Sequence, residues 1–226
     1  MTTFPTVVFD LDGTLVHSAP DIQAAINHAL ARNGRDPLDL ATVISFVGNG
    51  VEVLVTCSLD ATGGCDARLH AATLADLLDF YERHPTTLTR PYPGVIDCLA
   101  RLKASGARLG ICTNKPDAPA RIVCDQLGLS PFFEVISGAR PDVPKKPDPA
   151  PLLRCIADLS GTVEAGLYVG DSSVDYHTAR AAGVAFRLFD GGYLNEPLPD
   201  LEPQARFSDW YEFTVSRPAA RRASGT

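Results

Sequence analysis

Val7-Val8-Phe9-Asp10-Leu11-Asp12-Gly13-Thr14-Leu15 sets an apolar run directly against two carboxylates one residue apart. In an extended chain residues i and i+2 share a face, so Asp10 and Asp12 reach toward one pocket at the mouth of a buried strand. Unpaired carboxylates there are costly. A divalent cation or a phosphate-handling site offsets that cost. Gly13 permits a sharp turn and Thr14 supplies a hydroxyl. Taken alone, Asp10 to Leu15 also reads as an acidic turn after an edge strand, so the surrounding chain has to decide.

From about residue 94 onward helix and strand alternate. The pattern predicts helices over Gly94 to Ser105, Ala118 to Leu127, Ala150 to Leu159 and Val174 to Ala182. Between them it predicts strands over Arg108 to Cys112, Phe133 to Ile136, Gly166 to Gly170 and Val184 to Phe189. Strands separated by helices at this spacing pair in parallel through right-handed crossovers. Open sheets of that kind bind ligands beyond the carboxyl ends of their strands. Asp10, Thr113 and Asp171 all fall at such ends.

Residues 17 to about 90 break the alternation. Ser18-Ala19-Pro20-Asp21 reads as a capping box with Pro in the first turn. Ile22, Ala25, Ile26, Ala29 and Leu30 then repeat at helical spacing up to Asn33-Gly34. Further helical patterns cover Leu40 to Phe46, Val51 to Leu59 and Ala67 to His84. This stretch is too long for a crossover. An all-helical insert rooted beside Asp10 would sit over the site as a lid. The expected organisation is an α/β core of residues 1–16 and 91–214, a helical cap of residues 17–90, and a flexible tail of residues 215–226. Phe207, Trp210, Tyr211 and Phe213 are expected to anchor the chain end to the core.

The 226 residues are 45% hydrophobic and 21% charged, with a net charge of −7 and a pI near 5.2. That balance argues against nucleic acid or an anionic membrane as the main partner. The apolar stretches are far shorter than a membrane span. No basic segment followed by an apolar one opens the chain, so export is not expected and the cytoplasm is. The six cysteines form no CxxC pair and lie mostly among apolar neighbours, which predicts free, buried thiols. The five histidines form no HxH or HExxH pairing, so surface or hinge roles are expected of them.

Four separated elements match one pattern: Asp10-Leu11-Asp12-Gly13-Thr14, Thr113 at a strand end, Lys146-Pro147-Asp148-Pro149, and Gly170-Asp171-Ser172-Ser173-Val174-Asp175. With these the chain resembles the haloacid dehalogenase superfamily, in the phosphatase branch with a helical cap. Leu15 to Asp21, Phe46-Val47-Gly48-Asn49-Gly50, and Lys145-Lys146-Pro147 running to Pro151-Leu152-Leu153 make it look most like the phosphoglycolate phosphatases. The resemblance extends to about Phe189. It implies a Rossmann-like parallel-sheet core with an inserted all-helical cap, and hydrolysis of a small phosphorylated metabolite, 2-phosphoglycolate foremost. A sugar-phosphate phosphatase, a hexose-phosphate mutase or a catalytically silent relative are the alternatives.

The same resemblance implies the roles. Asp10 would be the nucleophile that becomes an aspartyl-phosphate, and Asp12 the general acid and base. Mg²⁺ would be held by the Asp10 and Asp171 carboxylates and the Asp12 backbone carbonyl, with Asp175 behind them or an occasional direct ligand. Thr113, Lys146 and the Asn114 amide would bind the transferring phosphoryl group. Gly48, Asn49 and Gly50 would offer amides to a small carboxylate. Dehalogenases of the superfamily lack an acid at Asp12 and transport ATPases carry Thr there, so Asp12 favours phosphoester chemistry. No lysine precedes Lys103, which disfavours the phosphonoacetaldehyde hydrolases, whose cap lysine forms a Schiff base. The mutases carry a cap arginine soon after the glycine matching Gly48, where this chain has Val51. Lys145 competes with Lys146 on sequence, and the bland alternative makes both a solvated charge pair. His17 stands where many relatives have Asp, at the cap hinge.

Overall fold

A computed structural model describes residues 4–215. The apolar run before Asp10 forms β1 (Thr6–Phe9), buried throughout. The chain then passes through β2 (Val16–His17) into four helices: α1 (Ala19–Arg32), α2 (Leu40–Phe46), α3 (Val51–Ala61) and α4 (Ala67–Arg83). It returns through β3 (Arg90–Pro91), antiparallel to β2. Helix and strand then alternate: α5 (Val95–Ala104), β4 (Arg108–Pro116), α6 (Asp117–Gln126), β5 (Val135–Ala139), α7 (Ala150–Asp158), β6 (Gly166–Gly170), α8 (Ser173–Ala182), β7 (Ala185–Phe189) and β8 (Arg206–Phe207).

The six-stranded sheet runs β5-β4-β1-β6-β7-β8, and every pairing in it is parallel. The two-residue side-chain period sorts β1 between two cores. Val7 and Phe9 join Val95, Leu99, Ile111 and Val169 on one face, whereas Val8 joins Leu152, Ile156, Tyr168 and Leu188 on the other. Because β4 and β6 flank β1, the winding reverses there and a crevice opens beyond its carboxyl end. The fold is thus a Rossmann-like α/β core with a helical cap. The cap has its own core, built on Ile26, Leu30, Val43, Val55, Leu59 and Leu77. Among the described residues no helix is long and apolar enough to cross a membrane.

Five sequence readings need correction. Ser18 makes no capping hydrogen bond. Asp21 instead accepts from Leu88 N, Thr89 N and Thr89 Oγ1 at 2.6 to 3.0 Å, fastening the start of α1 to the segment that leaves the cap. A nearby backbone with open donors outcompeted the local box. Strand β4 runs past Cys112 to Pro116, but its register with β5 shifts between those residues, so Thr113 to Lys115 bulge out of the ladder. Strand β5 begins at Val135, not Phe133, because the Phe133 amide closes the preceding 3-10 turn on Ser130 O at 3.2 Å instead of joining the ladder. In the terminal segment Trp210 and Phe213 are buried, but Tyr211 is 56% exposed. Val215, assigned to the tail, is buried and its carbonyl accepts from Phe4 N at 3.1 Å. Residues 216–226, the rest of the expected tail, lie outside the described residues.

Trp210 rests on Phe9, Phe189, Phe207 and Phe213, with ring centroids 4.9 to 6.1 Å away. Removing it leaves a cavity under the central strand. Trp210→Ala is expected to cost about 3–5 kcal/mol, read from urea unfolding; a loss under about 1 kcal/mol would show that the segment only lies on the surface.

Candidate active site

Asp10 stands one residue beyond β1, its amide donating to Val169 O at 2.9 Å and its side chain turned into the crevice. Gly13 makes the following turn at φ +84°. A Cβ on it would fall 2.2 Å from Asp171 Oδ2, so only glycine fits that approach. Asp171 follows β6 and is almost fully buried. Its Oδ1 accepts from Thr14 Oγ1 and its Oδ2 from Tyr193 N, both at 2.6 Å. Asp10, Asp171 and Asp175 each bring an oxygen within 4.8 Å of the others.

Lys146 answers this charge. Its side chain is 2% exposed, and Nζ lies 2.6 Å from Asp175 Oδ1 and 3.0 Å from Asp10 Oδ1. It also donates to the Tyr168 hydroxyl at 2.8 Å. The solvated-pair alternative therefore fails for Lys146. Lys145 pairs with Glu52 of the cap at 2.6 Å. Asn114 holds the Lys146 backbone from both ends: its Oδ1 accepts from Lys146 N, and its Nδ2 donates to Lys146 O, each at 2.9 Å. The same Nδ2 reaches Gly48 O of the cap at 2.9 Å.

Asp175 has no oxygen to spare. Oδ1 faces Lys146 and Tyr168, while Oδ2 accepts from Ser172 Oγ and from the amides of Asp171 and Ser172. Ser172 and Asp175 form the capping box of α8. Burial opposes ionisation of Asp175, but Lys146 and these donors outweigh it and hold the carboxyl below its usual range. Asp10 and Asp171 go the other way. Burial foremost pushes Asp10 up to about 7 against the pull of Lys146. Burial, then the charges of Asp175 and Asp10, lift Asp171 well above the carboxylate range. Asp10 Oδ1 is buried without an aligned hydrogen bond. Two oxygen-bearing acids with raised affinity for a positive charge, one of them orphaned, fit a hard divalent cation.

The cleft above these groups lies between core and cap. Asp10, Asp12, Thr113, Asn114 and Lys115 form its polar floor; Ile22, Ala25, Val47, Leu54 and Leu77 supply an apolar roof. Gly48 and Gly50 line it, whereas Asn49 is exposed and does not. Its space of about 80 Å³ suits a small molecule, well below what drug-sized ligands occupy.

Sequence reasoning passed over three residues. Lys115, on the β4 bulge, places Nζ 3.1 Å from both oxygens of Asp12 and 4.5 Å from the ring centre of Tyr81 in α4. Tyr168 bridges Lys146 and Asp175. Tyr193 links Asp171 to the hinge, since its hydroxyl accepts from Ala19 N at 3.0 Å and lies 2.9 Å from His17 Nδ1. The signal for Lys115 was present, two residues past Thr113 at a strand end; Tyr168 and Tyr193 carried none.

The haloacid dehalogenase-like hydrolase family model matches residues 7–189. A phosphoglycolate phosphatase of Cereibacter sphaeroides (strain ATCC 17025) is 48% identical over 205 residues, covering 90% of this chain and 93% of that one. One from Rhodospirillum rubrum is 41% identical over 210 residues, covering 90% and 87%. A solved structure of a predicted phosphoglycolate phosphatase from Haemophilus somnus 129pt superposes with a TM-score of 0.87 at 29% identity, covering 93% of this chain and 96% of that one.

Proposed function

Because the chain belongs to the haloacid dehalogenase-like hydrolases and is a phosphoric monoester hydrolase, we propose that it cleaves 2-phosphoglycolate to glycolate and phosphate with Mg²⁺ through a phosphorylated Asp10. One observation carries this reading. A buried, under-satisfied carboxylate faces a small cleft that holds a second acid, and a buried ammonium stands beside it.

Asp10 attacks phosphorus, an oxygen–phosphorus bond forms, and the ester P–O bond breaks toward glycolate. Asp12 gives its proton to the leaving alkoxide. It then takes one from the water that attacks the acyl-phosphate, releasing phosphate and restoring Asp10. Lys146 Nζ, Thr113 Oγ1 and the Asn114 amide meet the equatorial oxygens of the transferring group. Asp10, Asp171 and the Asp12 carbonyl would hold Mg²⁺, which supplies the positive charge that lets a carboxylate approach a phosphate dianion. Asp175, saturated by its donors, holds Lys146 and the Asp171 loop in place. Gly48 and Gly50 of the cap close over the substrate and exclude bulk water. The side chains of Ile22, Ala25, Val47, Leu54 and Leu77 offer no hydrogen bonds, which leaves few partners for a ring of sugar hydroxyls and favours a short carbon chain over a hexose phosphate. All six cysteines are free, in keeping with the reducing cytoplasm.

A panel of small phosphate esters ranked by kcat/KM tests the substrate, and 2-phosphoglycolate is expected first. A hexose phosphate ahead of it would overturn the assignment. The metal site has its own readout. At about 100 times its Kd, Mg²⁺ is expected to raise Tm by about 5–10 °C. The rise should be smaller at pH 5.5 than at pH 8, because Asp10, pushed up to about 7, must lose its proton to bind. Asp171→Asn retaining the full rise would remove that residue from the site.

A further inference from the structure

Among the described residues, Lys115 is the one cation that lines the cleft. The cap has no lysine, and none of its arginines reaches the lining. Lys146 is not part of that lining; it stands beside Asp10, where the proposed mechanism uses it on the transferring phosphoryl group. Lys115 is spent only in part. An ammonium has three N–H donors; the Lys115 side chain, 5% exposed, directs its hydrogen bonds to Asp12 and turns toward the Tyr81 ring. Opposite it, the Tyr81 hydroxyl is buried without a hydrogen-bond partner, although Tyr81 itself is only 6% exposed and lines the same cleft. A buried hydroxyl without a partner costs free energy that a bound acceptor returns.

A carboxylate is acceptor-only and has two oxygens. An ammonium on the core wall and a hydroxyl on the cap wall meet it from both sides. We propose that Lys115 and Tyr81 form the subsite for the carboxylate of the substrate, so that preference for a carboxylate-bearing ester is set jointly by the β4 bulge and by α4 of the cap. This subsite rests on the 2-phosphoglycolate reading and deepens it. It also gives cap closure a chemical consequence, since Tyr81 reaches the carboxylate only when α4 lies against Lys115. A neutral ester of the same length leaves both donors unmet, and sites built to hydrogen-bond a group discriminate strongly against analogues that lack it.

The test compares 2-phosphoglycolate with ethyl phosphate by kcat/KM. In parallel, calorimetry with Mg²⁺ present compares 3-phosphonopropionate with propylphosphonate by Kd. The wild-type protein is expected to prefer the carboxylate in both pairs. Lys115→Met should shrink both preference ratios by about 10- to 100-fold, and Tyr81→Phe by about 5- to 10-fold. Two results overturn the subsite. Ratios that survive in Lys115→Met while both absolute rates fall would show that Lys115 serves Asp12 or the fold alone. A wild-type ratio near one would remove the subsite together with the substrate reading, and the ester panel identifies that case by its top-ranked substrate. If Lys115→Met does not fold, Tyr81→Phe decides alone; an unchanged ratio there sinks the proposal.

Discussion

Asp10→Asn should lower kcat by about 10⁴-fold or more while the protein stays folded. Asn has nearly the shape of Asp and its amide oxygen still faces the Lys146 ammonium, so the packing at the end of β1 survives. What disappears is the anionic oxygen that forms the bond to phosphorus. Stability should hold or improve, because three acids lie within 4.8 Å in this structure and removing one charge relieves the crowding that burial makes costly. The two readouts therefore move in opposite directions, which no simple unfolding reproduces. Rapid-quench trapping with labelled ester should find phosphate on the peptide containing residue 10 in the wild type and none in the variant. Residual turnover above about 1% would hand the nucleophile's role to another group.

How much of this was legible in the chain depended on the range of the interaction. The strand ends bearing Asp10, Thr113 and Asp171 could be read because apolar runs and helix periods are local. The cap helix over Leu40 to Phe46 came out at its observed limits for the same reason. Lys146 was recoverable only through the resemblance, since nothing near it in sequence says that Asp175, 29 residues away, will receive its proton donors. The Lys115–Asp12 pair spans 103 residues and Thr14–Asp171 spans 157. Those distances are closed by topology, not by pattern. Where a local rule and a distant partner competed, the distant partner won. Asp21 left its expected box for the Leu88–Thr89 amides, whereas Asp175 keeps a local box with Ser172 through Oδ2 and takes the distant Lys146 on Oδ1.

Removal of the Lys146 ammonium should produce the largest combined loss. Lys146→Met keeps the length and apolar stem of the side chain but leaves Asp10 and Asp175 facing each other in a nearly dry pocket. Breaking a buried pair from one side costs about 3–5 kcal/mol, and here one cation serves two acids. The pH dependence gives the sign. With the ammonium gone, Asp175 loses the attraction that held it below its usual range, and Asp10 loses the pull that opposed burial. Both folded-state affinities for protons rise above their unfolded values, so the variant binds more protons folded than unfolded. Its stability falls as pH rises through the carboxylate range toward neutrality. The stability gap between wild type and variant should therefore be small near pH 4 and wide near pH 8, measured by urea unfolding across that range without divalent ions. Activity with any phosphate ester should drop by about 10²- to 10³-fold, because the donor that meets the transferring oxygens is missing. A gap independent of pH would mean that the ammonium contributes packing alone, and that the charge balance of this pocket is set by other groups.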